Sequence, residues 1–244
     1  MIGPNAAVTL DGVAAWMGGR HFYTYNGAVS TLSCDVENYV FSNINTAMAY
    51  KVFAATNELK GEMLWFYPSS ASTEPDSVVG VNMRDPARPW WIGTVSWTSY
   101  MDAGPANSFP IGTSANGNIM QCETGTDANG SPIAYSLDTS ELEIDAFGGF
   151  TQLNRGKNFA RVRKIAPDIA RISGTHQVYF LDRNYPNATS ETRGPFTLTP
   201  TTQKISIGGV RGRSTRLRIS ANALGTDIRI GEWRIDVTKH GESP

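Results

Sequence analysis

Along residues 7 to 32 apolar and polar positions come in short alternating bursts. The runs "AVTL", "VAAWM", "HFYTY" and "AVSTLS" are separated by Asp11-Gly12, by Gly18-Gly19 and by Asn26-Gly27. Asp-Gly and Asn-Gly between β-prone runs signal hairpins, because a type I′ turn needs positive φ at both central residues. Four short strands in this space amount to one propeller blade. The pattern then breaks. "SNINTAMAYKVFAATN" predicts one short helix near 43 to 49, with Ser42 as N-cap and Ala47, Met48 and Ala49 as helix formers, before "KVFAATN" returns to strand.

A second group follows. "GEMLWFYPS" reads as a strand ending at Pro68, "SSASTEPDS" as a loop, "VVGVNMR" as a strand, "DPARP" as a turn and "WWIGTVSW" as a third strand. On that third strand Trp91, Gly93, Val95 and Trp97 share one face, and Trp90, Ile92, Thr94 and Ser96 the other. Aromatics on alternate faces of short neighbouring strands fill the space between stacked sheets. Trp90 and Trp91 are read first as packing residues of an interface, and second as a ligand platform. Phe66 points opposite to Trp65 and Tyr67, which predicts a sheet covered on both faces.

Asn116-Gly117 and Asn129-Gly130 bracket the strand "NIMQCETG", and "PIAYSL" is another. "DTSELEIDAFGGF" alternates Leu142, Ile144 and Ala146 against Glu141, Glu143 and Asp145, as an exposed strand or a link. Beyond Gly148-Gly149 the strands lengthen. Leu217 and Ile219 oppose Arg216 and Arg218; Trp233, Ile235 and Val237 oppose Arg234 and Asp236. One buried and one wet face per strand is the pattern of an antiparallel β-sandwich. The expectation is an all-β chain: a partial or open β-propeller-like part over residues 1–148 and a C-terminal β-sandwich over 149–244.

Composition fits. The 244 residues are 40% hydrophobic and 18% charged, with 24 Gly and 13 Pro, which suits a packed core with many turns. No apolar run approaches the length of a membrane span. "MIGPNAAVTLDG" has neither the basic nor the apolar region of a secretory signal. Cys34 and Cys122 are expected as free thiols made in a reducing compartment. His21, His176 and His240 stand at no ligand spacing, so neither a metal nor a cofactor is expected.

The net charge of −1 hides a division. Residues 1–150 hold five Lys/Arg against fifteen Asp/Glu, and residues 151–244 hold sixteen against seven, giving −10 and +9. The two parts have different partners, meet each other's opposite faces, or carry unrelated surfaces.

Motifs for chemistry are few. There is no Gly-x-Ser-x-Gly elbow, His-Glu-x-x-His or phosphate loop, and no catalytic residue is assigned. Glu141, Glu143 and Asp145 could serve a glycan hydrolase, but exposed alternation explains them. "TDANGS" resembles the front of a calcium loop without its distal Glu, and reads as a type I′ turn. "VRGRSTRLR" carries Arg211, Arg213, Arg216 and Arg218. These are a solvated face, protein–protein ion pairs or loose contacts to a DNA backbone. No aromatic is interleaved with them on that strand, which argues against base stacking.

The order "GVAAWMGGRHFYTYNG", "VENYVFSNIN", "KVFAATNELKGEMLWFYPS", "WWIGT" resembles the last part of the propeller in the tail nozzle, or packaged-DNA stabilisation, proteins of short-tailed phages. "RGRSTRLRISANALGTDIRIGEWRIDV" is similar to the C-terminal β-domain of large phage tail proteins. The resemblance implies a non-enzymatic virion protein of the tail, assembled in the bacterial host cytoplasm. It would form a homo-oligomeric ring with other phage tail proteins around the DNA channel, retaining and passing packaged DNA. The alternative is a carbohydrate-binding module of a tail tip. Residues 7 to 135 supply two or three blades' worth of strands, while a closed propeller takes about four to eight. The expectation is therefore a partner that completes or covers the open edge.

Overall fold

The computed structural model describes residues 1–143, 158–185 and 187–242. The chain is mostly β, 56% strand and 6% helix, in several antiparallel sheets of which none closes on itself. Packing divides it into two units, Met1–Thr124 and Gly125–Pro244.

The first unit is a succession of blade-like sheets. Strands β1 (Ala7–Leu10), β2 (Val13–Met17), β3 (Phe22–Tyr25) and β4 (Val29–Leu32) form an up-and-down meander in the order β1-β2-β3-β4. The first hairpin turns at Asp11 (φ 48°) and Gly12 (φ 79°), as a type I′ turn requires. A second meander follows the same plan with β5 (Phe53–Asn57), β6 (Glu62–Tyr67), β7 (Ser77–Asn82) and β8 (Trp90–Thr94). A third, three-stranded sheet is made of β9 (Trp97–Met101), β10 (Ile111–Ser114) and β11 (Ile119–Gln121). The first strands of successive sheets draw together. Ala54 N–H donates to the Asn5 carbonyl at 2.8 Å, and Asp102, just past β9, accepts from Glu58 N–H at 2.9 Å at the end of β5.

The middle sheet is covered on both faces. Met63, Trp65, Tyr67, Val79 and Val81 share one core with Ala15, Met17 and Phe22 of the first sheet. Leu64, Phe66 and Val78 share another with Trp97 and Tyr100 of the third. The expected opposition of Phe66 to Trp65 and Tyr67 is the structural hinge of the whole unit.

Two sequence expectations shift. The helix α1 spans Glu37–Asn43, ahead of the expected 43 to 49, and a short 3-10 segment follows at Thr46–Lys51. Val40 anchors α1 in the first core at 0% exposure. Ser42 lies inside α1, its hydroxyl donating back to the Tyr39 carbonyl, and Asn45 caps the 3-10 segment by accepting from Ala47 N–H at 3.2 Å. The run "WWIGTVSW" is two strands rather than one. It breaks at Val95-Ser96, so that β8 closes the middle sheet while β9 opens the third.

The second unit opens on a two-rung hairpin, β12 (Asp127–Ala128) and β13 (Ser131–Pro132). Its turn carries Asn129 and Gly130 at φ 53° and 79°, and the Asp127 carboxylate accepts from Gly130 N–H at 2.6 Å. "TDANGS" is thus a type I′ hairpin turn. Then come β14 (Tyr135–Asp138), β15 (Asn158–Ser173), β16 (His176–Arg183), β17 (Glu191–Leu198), β18 (Ile205–Gly212), β19 (Ser214–Ala221) and β20 (Asp227–Glu242). Two sheets, ordered β14-β19-β16-β17 and β18-β15-β20, enclose Val162, Ile165, Val178, Phe180, Leu198, Leu217 and Ile219. This is the expected antiparallel sandwich.

The boundary expected between residues 148 and 149 falls on residues outside those described, as do Ile144, Asp145 and Ala146. The packing boundary lies earlier, at Thr124/Gly125, because β14 is an edge strand of the sandwich, pairing Asp138 with Arg218 and Leu137 with Ile219.

Candidate functional site

Trp90 and Trp91 leave β8 in opposite directions. Trp90 turns into the first core, stacked on Trp65 at 6.0 Å and tilted against Phe22 at 4.8 Å, with its indole N–H donating to the Ser33 carbonyl at 2.8 Å. Trp91 lies over Gly80 on the opposite face of the same sheet. A Cβ at position 80 would sit 2.5 Å from the indole Cε2, so only glycine leaves room for the ring. The Trp91 indole N–H donates to Glu62 Oε1 at 3.0 Å, and burial raises the Glu62 carboxyl above its ordinary value despite that bond. Trp90 is a packing residue; Trp91 is packed along one side and 37% exposed.

The four arginines of "VRGRSTRLR" separate into two sets. On β19 the alternation is as expected: Leu217 and Ile219 are buried, and Arg216 and Arg218 face outward. Arg218 makes a bidentate pair with Asp138, Nε to Oδ1 at 2.7 Å and a terminal nitrogen to Oδ2 at 2.6 Å. Beside it Arg183 pairs with Glu141, whose other oxygen accepts from the Ser214 hydroxyl at 2.7 Å. These contacts hold both carboxyls below the usual carboxylate range: Arg218 is the main cause at Asp138, and Arg183 then Ser214 at Glu141. Arg216 adds a smaller field to each. The acidic segment lies along the basic strand within one unit. With the boundary at Thr124, the first unit has five Lys/Arg against ten Asp/Glu and the second sixteen against twelve, so the division shrinks to −5 and +4.

Arg211 and Arg213 go elsewhere. The Arg211 guanidinium stands 4.4 Å from the Phe159 ring centroid. That of Arg213 stands 4.9 Å from the same ring and 5.1 Å from Tyr185. Arg161 is directly opposite Arg211 in the β15/β18 register, and its guanidinium crosses Gly209, where a Cβ would lie 2.5 Å from Nε. Three guanidiniums and two rings therefore gather at one end of the sheet, with Arg161, Arg211 and Tyr185 exposed. Like charges directly opposed on neighbouring strands oppose folding. Stacking on a ring uses the face of a guanidinium and not its edge N–H donors, so the exposed Arg211, with Arg161 opposite it, can meet a phosphate or carboxylate, whereas the Arg213 Nε is buried. This arrangement suits an extended anion such as a nucleic-acid backbone, and Tyr185 offers a base a flat surface.

The sequence assigned Arg211 and Arg213 but missed Phe159, Tyr185 and Arg161. Phe159 and Arg161 stand two apart on one strand, a same-face spacing that was readable. The approach of Tyr185 was not. A scan of protein-family models finds no match to the chain, and neither does a search of curated proteins.

Proposed function

We propose that the chain is a non-enzymatic structural component of a phage tail, in the nozzle or adaptor region, within a ring of copies and partner chains around the DNA channel. The observation that carries this reading is the first unit: three successive blade-like sheets that do not close. A sector of this kind has uncovered apolar ends and fits an assembly part better than a free-standing molecule. The resemblance of its turn and aromatic motifs to tail nozzle proteins supplies the setting. Arg161 and Arg211, beside Phe159 and Tyr185, give a surface on which packaged DNA rests through its phosphates.

The test uses phage particles whose genome encodes the chain. An antibody against it should label tails in electron micrographs, and the chain should remain with tails after DNA release. Its absence from purified particles would overturn the reading. A chain that is present but dispensable for retaining DNA would overturn the channel role.

A further inference from the structure

Among the described residues of the first unit, no sheet covers the outer face at either end of the succession, and neither outer face is charged. The free face of the first sheet carries the row Ala7, Trp16, Tyr23, Thr31 and, beside it, Tyr25 and Val29. Trp16 and Tyr23 stack there at 5.7 Å and 17°, while Tyr25 is 49% and Val29 64% exposed. The free face of the third sheet carries Ser99, Met101, Ile111, Thr113, Ile119 and Gln121. On it Met101 is 53% and Ile119 75% exposed. Neither set contains a charge, which is unusual for sheet faces left to water.

The first sheet's free face repeats one that the chain itself covers. Ala7 stands opposite Trp16 on β1 and β2, as Ala54 stands opposite Trp65 on β5 and β6. The preceding sheet packs on that face: Trp65 is 0% exposed, its indole N–H donates to the Ala6 carbonyl at 3.1 Å, and Ala54 is half-buried beside it. The second sheet thus presents a rear face with an Ala–Trp pair to the front face of the first, and the first sheet repeats that pair on its own rear face. Among the described residues of the first unit, one rear face, around Trp16, and one front face, around Ile119, have no sheet packed on them.

We propose that these two faces pack on each other between two copies of this chain, head to tail, continuing the contact already built between sheets within each copy. Three sheets per copy then give a closed ring of roughly six blades, within the about four to eight a propeller takes. The pair has two-fold symmetry: the rear face of each copy meets the front face of the other. The inference rests on the first unit alone and stands apart from the tail reading.

Sedimentation of the full chain over a concentration series tests it, with circular dichroism as the check that variants fold. The chain should sediment as a dimer. Val29→Lys on the rear face and Ile119→Asp on the front face both alter exposed side chains. Each should weaken self-association by about a hundredfold, as expected for a charge forced into an apolar contact. Mixing the two variants leaves one of the two contacts intact in each mixed pair, and should restore pairing. A chain that stays monomeric, or a dimer that survives Ile119→Asp, would overturn the proposal. A monomer found in labelled tails would sink this inference and leave the tail reading standing; a dimer missing from particles would do the reverse.

Discussion

Trp65 and Phe66 are consecutive residues of one strand, and each is buried in a different core, at 0% and 1% exposure. The period-two alternation of a strand makes this possible, and sheets packed on both sides make it necessary. Truncating either to Ala should cost about 3–5 kcal/mol, but the damage should be directional. Hydrogen exchange should quicken in β2 and β3 for Trp65→Ala, and in β9 and β10 for Phe66→Ala. Identical exchange maps would mean that the two cores do not act separately.

The neighbouring pair on β8 should behave unequally. Trp90→Ala removes a ring from the core and a hydrogen bond to Ser33, while Trp91→Ala clears a partly exposed ring from above Gly80. Denaturant midpoints should fall more for Trp90→Ala. If both variants were equally stable and only binding to a glycan was lost, the pair would be a ligand platform and the carbohydrate-binding reading would prevail.

Acid should weaken the second unit through its paired carboxyls. Asp138 and Glu141 have folded pKa values below their ordinary ones. Their contribution is therefore complete above the ordinary range and disappears as pH falls through it toward the folded values. Midpoints should drop between about pH 5 and about pH 3, and less steeply in the Asp138→Ala, Arg218→Ala double variant. Both partners are partly exposed, so a double-mutant cycle at neutral pH should return only about 0.5–1 kcal/mol. A flat pH profile in the parent chain would contradict this.

Asp182 should show the opposite sign. It is 5% exposed, Oδ1 accepts from the Thr215 hydroxyl at 2.8 Å, and Oδ2 has no hydrogen-bond partner among the described residues. Burial raises its carboxyl above the ordinary value. Ionised Asp182 thus opposes folding as pH rises through that raised value. Asp182→Asn keeps an acceptor for Thr215 and should raise the midpoint at pH 7, with the gain gone by about pH 4. A loss at pH 7 would show that the charge has a partner.

Cys34 and Cys122 are both free and partly buried, and burial pushes the Cys34 thiol up to about 12 and Cys122 in the same direction. The thiolate is the reactive form. Alkylation at pH 8 should be slow for both until the chain is unfolded, and mass spectrometry without reductant should find two thiols. Fast labelling of native Cys34 would show that its surroundings open in solution.

Local signals made the elements legible. Asp11-Gly12 and Asn129-Gly130 located their turns because few residue pairs accept positive φ twice, and the opposed faces of β6 foretold a doubly covered sheet. What stayed hidden depended on distant partners. Asp138 meets Arg218 eighty positions later, so the segment that begins there read only as an exposed strand or a link, while Asp138 itself ends an edge strand of the second unit. The break at Val95-Ser96 carries no glycine or proline to announce it. Arg211 and Arg213 were visible as basic residues, but their rings come from β15 and from the loop after β16, which no local pattern joins.

The pairing of β15 with β20 has a mechanical consequence. The two strands run antiparallel for sixteen residues each, about 50 Å, from Asn158 opposite Glu242 at one end to Ser173 opposite Asp227 at the other. A pull applied between Asn158 and Glu242 therefore acts on a single rung at a time and peels the ribbon open from that end. A pull along the ribbon, between Asn158 and Asp227, loads all the rungs together and meets far greater resistance. The direction in which tension reaches this unit, more than its equilibrium stability, decides whether it yields.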